Sequence, residues 1–106
     1  MPPAVRQSDI CTGHGCWPSR PNAAWSGNVF INNLGAHRTG DAWAVHCCGP
    51  ACHGSVMGQG SPNVNVNGVP LARIGDPVVC GSVAISGSPN VFVNGGGGGA
   101  IGGAQL

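Results

Sequence analysis

Three aspartates in this chain are each followed, at nearly one spacing, by a side chain that can bind a metal. His14 lies five residues after Asp9, His46 five after Asp41, and Cys80 four after Asp76. A fourth donor, His53, ends the segment His46-Cys47-Cys48-Gly49-Pro50-Ala51-Cys52-His53, which reads as a longer loop in one of the units. Three imidazoles and a thiolate suit Zn2+, which takes four N or S ligands in a tetrahedron. Filling all four positions with protein leaves no place for water or substrate, so the site read here is structural. Equivalent ligands from equivalent units imply a pseudo-threefold object closing on one ion. His37 falls in a phrase whose counterpart in the next unit has no histidine, and it reads as structural.

The remaining cysteines, Cys11, Cys16, Cys47, Cys48 and Cys52, read first as buried free thiols. Disulfides, or a second zinc site from Cys11, Cys16, Cys48 and Cys52, are the alternatives. Residues 1–7 hold no apolar signal core, and no apolar run is long enough to span a membrane. The expectation is therefore folding in a reducing cytosol, which favours metal binding over a disulfide scaffold. Asp41 and Asp76 each follow a glycine and stand three residues after Arg38 and Arg73. They read as turn carboxylates paired to those arginines rather than as catalytic acids. There is no Gly-x-Ser-x-Gly elbow, and with no lysine in the chain there is no phosphate loop.

The elements that must position these ligands are short strands. Ser26-Gly27-Asn28-Val29-Phe30-Ile31-Asn32 matches Ser61-Pro62-Asn63-Val64-Asn65-Val66-Asn67 and Ser88-Pro89-Asn90-Val91-Phe92-Val93-Asn94. Within each, side chains alternate between two faces. Val29 with Ile31, Val64 with Val66 and Val91 with Val93 are assigned to the core. Phe30, Asn65 and Phe92 then point the other way, as loop covers or as a contact surface for a partner. No stretch sustains a helical period, so the class is all-β.

The chain has 106 residues, of which 7% are charged, and a net charge of +1. That length allows one small domain, taken as residues 1–94, and the charge gives nucleic acid nothing to bind. Such a sparsely charged surface implies that part of it is covered by something else. The 20 Gly and 9 Pro punctuate the strands as turns. Residues 95–106 are low in complexity and read as a flexible or weakly docked tail.

These features resemble the PAAR-repeat proteins. The name-giving tetrad is represented by Pro70-Leu71-Ala72-Arg73 and more remotely by Gly35-Ala36-His37-Arg38. The Ser88–Asn94 and Gly75–Gly81 passages follow the family pattern, and Ser8–Cys16 is similar to the opening of short members at phage tail tips. The resemblance implies a small cone of three pseudo-threefold β-hairpin repeats, with one zinc near the apex held by His14, His46, His53 and Cys80. It implies a non-enzymatic tip that caps a trimeric β-helical spike, one copy per trimer, in a contractile phage tail or a type VI secretion system. Such a tip is made in the cytoplasm, assembles on the spike, meets the target envelope only transiently and has no small-molecule substrate. The alternatives are a free-standing metal buffer and a zinc hydrolase, the latter needing an open coordination position.

Overall fold

A computed structural model describes residues 1–93; residue 94 and the expected tail at 95–106 lie outside the described residues. The described residues form strands and turns with no helix. Six strands make three antiparallel pairs. β1 (Phe30–Ile31) pairs with β2 (Leu34–Gly35), β3 (Ala42–Cys48) with β4 (Ala51–Val56), and β5 (Asn65–Val66) with β6 (Val69–Pro70).

The three Asn-bounded passages begin with the same local device. In each, a buried serine hydroxyl accepts the backbone N–H groups two and three residues on: Ser26 from Asn28 and Val29, Ser61 from Asn63 and Val64, Ser88 from Asn90 and Val91. Such serine turns compete with strand geometry for the residues they hold. Their consequence corrects the sequence reading: Val64 and Val91 are each 37% exposed and Val29 only half-buried. The valines belong to the turns: Ile31, Val66 and Val93 are buried in the core, Val29 packs against its edge, and Val64 and Val91 stay outside it. Phe30, Asn65 and Phe92 are exposed, on the face expected of them.

β1 and β5 return through Asn32-Asn33 and Asn67-Gly68, all four at positive φ as primed hairpin turns require. The third passage pairs instead with residues 2–4 of the chain. Pro3 faces Phe92 as Gly35 faces Phe30 and Pro70 faces Asn65. Ala4 N–H donates to Val91 O, as Ala36 does to Val29 O and Leu71 to Val64 O, each at 3.0 Å. Pro3-Ala4-Val5-Arg6 is thus a third tetrad, a match the sequence reading overlooked.

At the centre the three tetrads close a ring of backbone hydrogen bonds. Val5 N–H donates to Ala72 O at 3.0 Å, Ala72 N–H to His37 O at 3.0 Å, and His37 N–H to Val5 O at 3.1 Å. All three residues are fully buried. Each tetrad's arginine then grips the aspartate three residues on through its backbone N–H, Nε and Nη2: Arg6 with Asp9, Arg38 with Asp41, Arg73 with Asp76. The turn pairing expected for Asp41 and Asp76 is therefore present, and Asp9 repeats it.

Neighbouring tetrad positions alternate between two apolar clusters, as period-2 geometry demands. Ala4, Ala36 and Leu71 join Ile31, Val66 and Val93 in one. Val5 and Ala72 join Cys11, Trp43, Met57, Val78 and Ala84 in the other, against which Cys80 packs. His37 takes the place equivalent to Val5 and Ala72. Its ring meets Trp43 edge-on at 5.2 Å, and its Nδ1–H donates to Ala24 O at 2.7 Å. Burial pushes its pKa down, which keeps it neutral and structural.

Candidate metal centre

The segment read as a loop, His46 to His53, is the tip of the longest hairpin. Gly49, at φ 60°, opens its two-residue Gly49-Pro50 connection. Trp43 and His46 are both buried although they stand three apart, which a regular strand forbids. A bulge resolves this: Trp43 pairs with Ser55 but His46 pairs with His53, so β3 spends one residue more than β4 between the pairs. A bulge bends a strand and re-aims its side chains. Here it turns His46 inward and sets it beside His53.

His14 arrives on a separate turn, where His14 and Trp17 exchange backbone hydrogen bonds at 3.0 and 2.8 Å. Gly13, at φ 70°, has the backbone of Trp17 to Ser19 where a side chain would begin, so the turn tolerates only glycine there. Cys80 sits on the tight turn closed by Gly81 N–H to Val78 O, with its own N–H on the Ser55 hydroxyl at 2.9 Å.

The structure brings together the three residues singled out by register and the fourth donor of the longer segment: the donor atoms of His14, His46, His53 and Cys80 lie within 4.8 Å of one another. His46 Nε2 is 2.8 Å and His14 Nε2 3.1 Å from His53 Nε2. In a tetrahedron with metal–nitrogen bonds of about 2.0–2.1 Å, neighbouring nitrogens stand about 3.3 Å apart. The spacing therefore suits one cation. Pro18 O accepts from His46 Nδ1 at 2.8 Å, so the proton is on Nδ1 and Nε2 keeps its lone pair for the centre. Trp17 stacks on His14 at 5.1 Å, comes within 5.1 Å of His53, and anchors its Nε1–H on Ala51 O at 2.9 Å. It thereby walls the imidazole cluster with an aromatic ring.

Burial pushes the Cys80 thiol up, but hydrogen bonds from Ser82 backbone and hydroxyl, Arg20 and His53 outweigh it and bring it down to about 5. The group is thus poised as a thiolate, the form that ligates metals. Arg20 Nη2 stands 3.5 Å and the Ser82 hydroxyl 3.7 Å from its sulfur.

Four of the other cysteines are disulfide-bonded, which corrects the reading of them as free buried thiols; only Cys11 fits it. Cys16 joins Cys48 and Cys47 joins Cys52, so the second zinc site is not formed either. Cys47 and Cys52 follow and precede the candidate ligands His46 and His53 in adjacent register pairs, which places their Cα atoms 4.1 Å apart. Cys16–Cys48 ties the His14 turn to the hairpin across 32 residues of chain. Closing a loop of that length removes about 3–4 kcal/mol of unfolded-state entropy. Melting curves with and without a phosphine reductant are expected to differ by more than 10 °C, at roughly 4–8 °C per kcal/mol. Cys16→Ser is expected to reproduce most of that shift and Cys52→Ser less, because the latter's loop is short.

Trp17, Arg20, Ser55 and Ser82 were not singled out from sequence. Only Arg20 left a signal: four arginines face three aspartates, and three of those arginines are spoken for by an Arg-x-x-Asp phrase. A family model described as PAAR motif matches residues 12–86 and again 48–97. No curated protein matches the chain.

Proposed function

We propose that this chain, which belongs to the PAAR-motif family, is a non-enzymatic tip that caps a trimeric β-helical spike in a phage tail or secretion machine. The observation that carries the reading is the ring of Val5, His37 and Ala72, through which one monomer repeats a strand, a tetrad and an ion pair three times. A single chain of that kind matches a threefold partner without being a trimer itself. The exposed Phe30, Asn65 and Phe92 stand at equivalent places in the three passages and supply the contact, with strand pairing extending the spike's own sheets.

The metal is zinc, bound by His14, His46, His53 and Cys80, and its task is to hold three loops where no apolar core can. Four protein donors leave no open coordination position, which weighs against a hydrolase. Four of six cysteines are spent in disulfides, which weighs against a labile metal buffer. A pull-down from producing cells or virions with the tagged chain identifies the machine. A β-helical protein should come with it in a molar ratio of three copies to one, with one zinc per tip by elemental analysis. A three-to-three complex, or tips carrying iron or no metal, would overturn the reading.

A further inference from the structure

Arg20 is 5% exposed, yet no carboxylate meets it among the described residues. The chain's acidic side chains are Asp9, Asp41 and Asp76, and each is held by its own arginine. A buried cation without a counter-charge is costly, so whatever surrounds Arg20 must supply one. Its fork meets sulfur. Nη1 donates to Cys11 Sγ at 2.9 Å and to Ser82 Oγ at 3.3 Å, and Nη2 to Cys80 Sγ at 3.5 Å. Its Nε–H donates to Ala44 O at 2.8 Å, and its carbon lies 5.6 Å from the centre of the Trp43 ring.

Ala44 lies in the bulge between Trp43 and His46. One guanidinium therefore grips both the sulfur that ligates and the carbonyl of the kink that aims His46. Arginine suits this place because its donors are set in a rigid plane, whereas a lysine would offer one compact ammonium.

We infer that Arg20 is the positioning residue of the metal centre: it orients the Cys80 sulfur and fixes the bulge that presents His46, so that both face one cation. The inference rests on the metal reading above. Partners behind the ligands commonly contribute roughly 10–100-fold to metal affinity. Hydrogen bonds to a coordinated sulfur also withdraw electron density from it, which raises the energy of sulfur-to-metal charge transfer.

The test replaces zinc by cobalt(II), whose charge-transfer band reports the sulfur directly. Arg20→Met is expected to weaken cobalt binding roughly 10–100-fold against a competing chelator, and to move the band to lower energy. Arg20→Lys should recover part of the affinity without restoring the band. A purely structural role would lower the melting temperature of metal-free and metal-loaded protein alike and leave the band in place. If wild type binds cobalt and Arg20→Met binds it within twofold with the same spectrum, the inference falls while the metal reading stands. If wild type binds neither zinc nor cobalt, both fall.

Because Arg20→Met can fail to fold, a second measurement uses wild type alone. Exchanging zinc for cadmium should shift the guanidinium proton resonances of Arg20 well beyond those of Arg6, Arg38 and Arg73. Equal or absent shifts overturn the proposal.

Discussion

His46→Ala is expected to leave the chain without zinc and to lower its melting temperature by on the order of 20 °C or more, whereas His37→Ala keeps one zinc per chain. The two imidazoles form a matched pair. Both are buried, at 3% and 0% exposure, and both donate Nδ1–H to a backbone carbonyl, Pro18 O at 2.8 Å and Ala24 O at 2.7 Å. They differ at Nε2. That of His46 stands 2.8 Å from His53, while that of His37 has no hydrogen-bond partner among the described residues. Truncating either creates a cavity, which costs about 2–5 kcal/mol for a large buried side chain. Only His46 also forfeits the metal term, on the order of 10 kcal/mol for structural zinc, against a total stability of roughly 5–15 kcal/mol. From sequence, with His37 placed outside the metal shell, His37→Ala is expected to cost far less than His46→Ala. Its full burial beside Trp43 changes that expectation to a moderate loss of stability with metal content intact. Zinc content and melting curves of the two variants decide the matter. Should His37→Ala lose the metal while His46→Ala retains it, the assignment of the centre is wrong.

The parts of this molecule that sequence disclosed are those with local causes. The Arg-x-x-Asp grip spans four residues, and so does the serine turn, so each returns as a recognisable phrase whenever the fold needs it. That is why the register of His14, His46 and Cys80 could be read at all. What escaped has distant causes. The bulge that aims His46 leaves no mark in Trp43-Ala44-Val45-His46, because it is defined by what β4 offers opposite. Cysteine connectivity is not contained in spacing, and a reducing-compartment prior pointed away from the Cys16–Cys48 and Cys47–Cys52 bonds. Val64 and Val91 followed a two-residue alternation on paper, but their N–H groups were already committed to serine hydroxyls. The longest reach belongs to Pro3-Ala4-Val5-Arg6, a tetrad separated from its strand by nearly the whole described chain. A scan for contiguous repeats starts at the first strand and passes over it.

That displaced tetrad supports the second large effect. Removing residues 1–5 is expected to unfold the domain, because six backbone hydrogen bonds go with them. Val93 N–H loses Pro2 O, Ile74 loses Pro3 O, Ser88 loses Ala4 O, and His37 loses Val5 O, while Val91 O and Ala72 O lose the N–H groups of Ala4 and Val5. At about 1 kcal/mol each, and with the fully buried Ala4 and Val5 gone from both apolar clusters, the loss rivals the whole stability of a small domain. Deletion alone does not separate loss of a pairing from loss of material, but a circular permutant does. Asn67-Gly68 joins β5 to β6, and the sequence after Val93 reads Asn94-Gly95. Joining Gly95 directly to Pro2 therefore builds in the third passage the same two-residue connection that the second already has. The new break goes between Asn67 and Gly68, at an exposed tip where a side chain on Gly68 would meet nothing. The permutant runs from Gly68 through Gly95 into Pro2 and ends at Asn67. If the three passages are equivalent, moving the break from one to another keeps every strand pair and the central ring. Its melting temperature should lie within about 8 °C of the parent, the equivalent of roughly 1–2 kcal/mol, with zinc content unchanged. A permutant that fails to fold while the parent is stable would show that the first residues serve as more than a displaced third tetrad.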